Sequence, residues 1–369
     1  MEQKVIPSIK KTKEQIMIRS KKILSVAVAT LAFTACKKDV DPVFPPSTGA
    51  QIKLKGIATT EAGSAAGNSV YLDLSAAKQT PVLRSGWDLG FYSGTDFRVV
   101  LNTYSVAGAK VLTQNSLAAV GAADTIGLTL ATSQSNPLPS QLAFFDDIAG
   151  DLTKTVIPAI SATDADNKVI ILNRGAGGGI APRAWVKLRV LRNISGGYTL
   201  QYAGIQETTF KIIQVPKDAA YHFKFISFEN GIVDAQPEKE KWDLVWSYSL
   251  YQGNFGAGNS PYNFSDMISV NYLSEVTVAI KVYADAATAT AAFNAYNKDS
   301  VTNNSTFIAG KWSIASGWRS TQPATGARAD RFYVIKDPAG NFYKLKCVAM
   351  GVNDGGTRGM PNFSYSLIK

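Results

Sequence analysis

The chain has 369 residues, is 46% apolar, and carries 38 Lys/Arg against 28 Asp/Glu, with one His and two Cys. A single His excludes paired imidazoles, and a closed zinc site, which wants four Cys/His ligands, cannot be assembled. The formal charge of +10 is not gathered into a Lys/Arg cluster interleaved with aromatics, so there is no footprint for nucleic acid.

At the N-terminus, Lys21-Lys22, a short apolar run and small residues before Cys36 read as an export signal over residues 1–36. The run is shorter than the about 20 residues a permanent span needs. Phe33-Thr34-Ala35-Cys36 resembles the lipobox of bacterial lipoproteins, whose thiol is acylated and whose chain is cut just before it. Cys36 is therefore the expected lipidation site and first mature residue; the alternative is an ordinary secretory signal with an incidental Cys. Starting at Met17 would give the usual basic-then-apolar order at once, which makes Met17 a second candidate start. Losing residues 1–35 removes seven Lys/Arg and two Asp/Glu, leaving a charge of about +5. Only Cys347 then remains unmodified, and one thiol forms no internal disulfide. Residues 37–50 hold three prolines and no periodicity, as expected of a flexible tether.

Beyond the tether the chain repeats itself. Trp87-Asp88-Leu89-Gly90-Phe91 returns as Trp242-Asp243-Leu244-Val245-Trp246, with alternation that predicts Trp, Leu and Phe/Trp on one face of a strand and Asp on the other. A Lys-bearing strand follows each at nearly constant distance: 100 residues separate Trp87 from Lys187, and 102 separate Trp242 from Lys344. Two signals in phase define two copies, 51–206 and 207–369. Each is expected to be a mostly β, sandwich-like domain of short strands separated by Gly, Ser, Asn and Pro clusters. One short helix is predicted in each: Leu142, Phe145, Ile148 and Leu152 recur at helical spacing over 139–152, and Asp285 can cap an Ala-rich segment running to Tyr296.

The side chains argue against an enzyme. A catalytic triad would rest on His222 with no nucleophile elbow to accompany it, and His222 beside Tyr221 and Phe223 reads as a strand or surface residue. Gly175-Ala176-Gly177-Gly178-Gly179 lacks the Gly-Lys-Ser/Thr of a phosphate loop and reads as a flexible hairpin loop. Asp146-Asp147 and Asp164/Asp166 read as solvated faces rather than acid/base pairs or calcium ligands. Binding is better supported. Tyr248, Tyr251, Phe255, Tyr262 and Phe264 crowd a Gly/Asn-rich segment after the Trp242 strand, and aromatics on a rigid β scaffold hold flat, hydrophobic or glycan ligands; filling the local core is the competing reading. Met267 is nearby, while Met350 and Met360 bracket a Gly-rich insertion, 351–359. Thioethers can serve as axial haem ligands, although Met more commonly fills gaps in cores.

The Trp-Asp-Leu-x-Phe/Trp strand, an Asn-bearing strand after it, and the late strands Trp185-Val186-Lys187-Leu188-Arg189 and Phe342-Tyr343-Lys344-Leu345-Lys346, behind a lipoprotein signal, resemble the HmuY family of haem-binding lipoproteins in two tandem copies. The resemblance implies a mostly β fold, a lipid anchor in the outer membrane, and haem captured for a TonB-dependent transporter. It also implies His pairs, or Met, as haem ligands on loops between the motif strands. Here that region, 248–331 in the second copy, holds only Met267, and the matching region of the first copy holds no such ligand. Haem or a related porphyrin is the expected ligand, chiefly in the second copy. Candidate contacts are Met267, Met350, Met360, Tyr251 and Tyr262, with Met267 and Met350 or Met360 as the soft-ligand pair. The competing expectation is a surface glycan- or protein-binding lipoprotein that kept the scaffold without haem ligation.

Overall fold

Alternating apolar residues bounded by turn formers become twenty-one strands among the described residues of the computed structural model, which are 45–369. The expected signal, Cys36 and residues 37–44 of the tether lie outside them. The first copy supplies β1 (Gly49–Lys53), β2 (Asn68–Asp73), β3 (Lys78–Leu83), β4 (Leu89–Tyr92), β5 (Val99–Leu101), β6 (Gly108–Val111), β7 (Ile170–Asn173), β8 (Val186–Arg192) and β9 (Tyr198–Gly204). The second supplies β10 (Lys211–Val215), β11 (Phe223–Ser227), β12 (Gly231–Val233), β13 (Leu244–Asn254), β14 (Asn259–Val270), β15 (Thr277–Val282), β16 (Ile308–Ala309), β17 (Arg319–Thr321), β18 (Ala324–Ala327), β19 (Arg331–Lys336), β20 (Phe342–Ala349) and β21 (Asn362–Leu367). Helices α1 (Ala286–Ala295) and α2 (Lys298–Asn304) lie between β15 and β16.

The fold is mostly β; nineteen of its strands form two sandwiches, and β17 and β18 pair as a separate two-stranded ribbon. A five-stranded sheet, β10-β9-β8-β7-β6, faces a four-stranded one, β12-β11-β4-β5, across a core that includes Leu89, Phe91, Leu188, Tyr198 and Ile226. A six-stranded sheet, β1-β21-β20-β19-β15-β16, faces β14-β13-β2-β3 across a second core with Leu72, Leu244, Trp246, Tyr333 and Leu345. The sandwiches do not coincide with the sequence copies. The first three strands of each copy are exchanged: β2 pairs with β13 and β11 with β4, while β1 lies on β21 and β10 on β9. Residues 46–369 are consequently one compact unit.

The repeated Trp-Asp makes this exchange. Asp243 N–H donates to Leu72 O at 2.7 Å and its carboxylate accepts from Leu74 N–H at 2.7 Å; Asp88 does the same with Ile226 O and Phe228 N–H, at 2.7 and 3.0 Å. An Asn just past the end of β5 and of β14 completes the motif, as Asn102 Nδ2 donates to Trp87 O and Asn271 Nδ2 to Trp242 O. Because β4 and β13 begin only at the Leu, the backbone at Trp-Asp is not yet in regular strand geometry. The leading Trp therefore leaves the face predicted for it: Leu89 and Phe91 point into one core, but Trp87 packs on Phe223 and Phe225; Trp242 likewise meets Tyr71 instead of the core of Leu244 and Trp246.

Asp285 caps α1 by accepting from Thr288 N–H, as the sequence predicts, and Tyr296 closes it. The repeated Lys secures the cover on each outer sheet face: Lys344 Nζ donates to the carbonyls of Phe293 and Tyr296 at the end of α1, and Lys187 Nζ to Val120 O. The helix predicted over 139–152 is instead two 3₁₀ segments, Pro139–Phe144 and Leu152–Lys154. Between them Gly150 turns to φ +86° and the Asp146 carboxylate ties down Leu101 and Val156 N–H, so no helix passes through. Asp146 is buried, not solvated, and burial pushes its carboxyl up to about 6. The 175–179 loop is likewise pinned rather than loose, because Arg84 donates to Gly177 O and Gly178 O.

Candidate functional site

Strands β13 and β14 form the longest hairpin, 11 and 12 residues, and it bends at a β-bulge where the register shifts between Ser247 and Ser249. Opposite the bulge Asp266 adopts φ +55°. Bulges re-aim the strand beyond them. The bend is clamped from below, with Trp318 Nε1 donating to Asp266 O, Arg319 Nη2 to Ser265 O, and Arg358 Nη2 to the buried Asp266 carboxylate at 2.6 Å.

On the distal half, alternation sorts the side chains. Leu250 is buried with Val106 and Phe145, tying one face of the hairpin to the other sandwich. The opposite face carries an aromatic ladder. Tyr251 and Tyr262 are a directly opposed cross-strand pair, Tyr262 meets Phe264 edge-on at 4.8 Å and Phe255 at 5.1 Å, and Tyr251 meets Phe264 at 5.5 Å and Trp312 at 5.3 Å. All five rings are half-buried, so one side of the cluster is supported and the other faces solvent. Such a surface suits a flat apolar ligand, and the two phenol groups add polar handles.

The two tyrosines expected at the site are thus together; the methionines are not with them. Met350 is fully buried in the core between the six- and four-stranded sheets. Met267 is also buried, at 1% exposure, but follows strand alternation onto the face opposite its core-facing neighbour Ile268. Met267 and Met350 therefore occupy opposite sides of one sheet. Met360 is half-buried in a bridge with Thr357, and the 351–359 insertion is laced around Asp354, which accepts N–H groups from Met350, Gly351 and Gly356. His222 Nε2 contacts Ser274 Oγ at 2.8 Å and Asn271 Oδ1 at 3.2 Å, and burial pushes its pKa down to about 4. It is a neutral structural histidine. Trp312 escaped the sequence reading because it is 61 residues from Tyr251 and only the fold brings it to the hairpin. Among the described residues no group of three His, Cys, Asp or Glu is placed to hold a metal ion, and no helix is long and apolar enough to cross a membrane.

A family model described as HmuY protein matches residues 65–365, most of the chain and both sandwiches. This chain belongs to the HmuY family. HmuY is a family of haem-binding proteins, and the chain is a haem-binding protein of the family kind. No curated protein and no solved structure matches it.

Proposed function

We propose that this protein is a lipid-anchored, outer-membrane-associated haem carrier that binds haem or a related porphyrin on the β13–β14 hairpin and passes it to a TonB-dependent transporter without catalysis. The observation that carries the reading is the half-exposed ladder of Tyr251, Tyr262, Phe264, Phe255 and Trp312 in a chain of the HmuY family. Tyrosine is an established axial ligand of haem iron. Tyr251 and Tyr262 would supply that oxygen and a stacking surface, a role the buried Met267 and Met350 are poorly disposed to fill. Anchoring through Cys36 would hold the carrier at the membrane, with residues 37–50 giving it reach.

Titration of residues 37–369 with haemin, oxidised and reduced, tests this by absorbance. Saturation near one haem per chain is expected, weakened about tenfold or more by Tyr251→Ala or Tyr262→Ala and unaffected by Met267→Leu. Failure to saturate in either redox state would overturn the haem reading and leave the ladder to glycans.

A further inference from the structure

The aromatic ladder ends at Phe264, and the next residue, Ser265, is gripped by two guanidiniums: Arg319 Nη2 donates to its carbonyl at 2.6 Å and Arg358 Nη2 to its Oγ at 2.9 Å. Arg328 adjoins them, its Nε donating to Arg319 O at 3.3 Å. The β17–β18 ribbon and the β20–β21 loop thus bring three arginines to the foot of the ladder.

The carboxylates of this neighbourhood are already committed. Asp266 is bonded by Arg358 at 2.6 Å, Asp330 by Arg331, and Asp354 accepts N–H groups from Ala327, Met350 and Gly351. Arg319 and Arg328 therefore have no acid partner among the described residues. Burial and the neighbouring Arg358 lower the Arg319 pKa, while Asp266 and Tyr262 pull it the other way, which places its charge within reach of the ladder's field. Donors remain open as well. Nε of Arg319 and of Arg358 is buried, but Nη1 of each keeps solvent access and donates to nothing among the described residues; the Arg358 side chain is 25% exposed, and Arg328 is exposed. At the other end of the ladder Lys311 lies over Trp312 at 5.0 Å, and there Asp146 and Asp147 offset the charge. Surplus guanidinium at one end of a half-exposed aromatic surface selects a ligand with a flat apolar body and an anionic arm, because the planar fork of Arg matches a carboxylate at two points.

We propose that Arg319, Arg328 and Arg358 form an anion-binding foot to the ladder, which takes a carboxylate carried on the rim of the planar ligand. The proposal rests on the haem reading of the hairpin and adds that the acid arms of the macrocycle, not its ring alone, are recognised.

Two pairs of probes, titrated into residues 37–369, separate the foot from the haem reading: haemin and its dimethyl ester, followed by absorbance, and the iron-free 1-pyrenebutyrate and 1-pyrenebutanol, followed by fluorescence. In each pair the acid is expected to bind about tenfold or more tightly than its neutral counterpart, the gap shrinking below about threefold in Arg319→Gln and persisting in Arg98→Gln, which removes the same charge from the first sandwich. Tyr251→Ala should weaken both members of a pair alike. Arg319 makes no ion pair among the described residues, so its variant decides the matter should Arg358→Gln, which strips the buried Asp266 of its partner, not fold. An Arg319-dependent gap in either pair sustains the foot, and in the pyrene pair it does so even where haemin fails to saturate and the haem reading falls. Equal affinity within each pair, saturation by neither acid, a gap unchanged in Arg319→Gln, or a gap lost equally in Arg98→Gln would each overturn the foot; with haemin still saturating, the haem reading would outlive it.

Discussion

Asp88 and Asp243 are the same residue of the repeat in opposite surroundings. Asp88 receives both Nε and Nη2 of Arg174 at 2.8 Å, with Arg183 Nη1 at 3.1 Å, and Arg174 also holds Glu229. Register shows what changed in the second copy. Ile171 faces Lys187 and Val334 faces Lys344, so the position three beyond each is Arg174 in one copy and Asp337 in the other. By the same alignment, Leu89 facing Ile226 and Leu244 facing Leu72 set Ser227 against Asp73. The guanidinium is replaced by a carboxylate and a hydroxyl by another. Asp243 is left buried without a cation among the described residues, and burial, reinforced by Asp73 and Asp337, pushes its carboxyl up to about 8 against the pull of Leu74 N–H. Since the folded-state pKa lies above the unfolded one, the protonated form favours folding, and this contribution is lost as pH rises from about 4 to about 8 with a slope of at most about 1.4 kcal/mol per unit. Asp243→Asn keeps an acceptor for Leu74 and cannot ionise. Thermal melts across pH 5–8 should show the variant gaining on the parent as pH rises; a difference constant with pH would show that Asp243 does not titrate in that window. Asp88→Asn breaks a buried pair instead, so a loss of about 3–5 kcal/mol in urea unfolding is expected, with Arg174 and Arg183 left under-compensated.

At the scale of elements, the repeat, the mostly β class and α1 were legible because each is written in local pattern: the Trp-Asp and Lys signals in phase, period-2 alternation, and Asp285 placed before an Ala-rich run. Strand exchange was not legible. β1–β3 and β10–β12 carry equivalent patterns, so either set could complete either sandwich on hydrophobic alternation alone, and only the tertiary arrangement chooses. The tyrosines of the ladder were visible as a dense aromatic segment, whereas the burial of Met267 and Met350 depends on which face of β14 and which core they meet. The exchange predicts which fragments fold. Residues 87–233 contain all of β4–β12 and the core from Leu89 to Phe228, and should melt cooperatively. Residues 46–206 contain the first sequence copy, 51–206, but lack β10–β12, leaving β4 and β9 each without one of its two strand partners and the core without Val215, Ile226 and Phe228. That fragment should show no cooperative transition by circular dichroism; a sharp melt for 46–206 and none for 87–233 would contradict the exchanged topology.

Across the whole molecule the sandwiches are joined by polar fasteners as well as exchanged strands. Tyr272 Oη donates to Gly150 O at 2.6 Å and Trp312 Nε1 to Ile148 O at 2.5 Å, each carrying the second sandwich onto a loop of the first. Arg84 is the most connected of them. Fully buried between β3 and the Trp87 motif, it donates to Ala65 O and Ala66 O just before β2, and to Tyr104 O, Gly177 O and Gly178 O in loops of the first sandwich, while its guanidinium lies over the Tyr248 ring at 4.9 Å. Burial lowers its pKa to about 10, so the charge persists at neutral pH. Five carbonyls converging on one fork need the planar, five-donor geometry of Arg; Lys offers three donors at a single point and cannot span the same set. Arg84→Lys should therefore leave buried carbonyls unpaired, costing on the order of 3 kcal/mol in chemical unfolding, and should open the 175–181 loop to limited proteolysis before global unfolding. Stability within about 0.5 kcal/mol of the parent, with the loop still protected, would mean that the exchanged strands alone hold the sandwiches together.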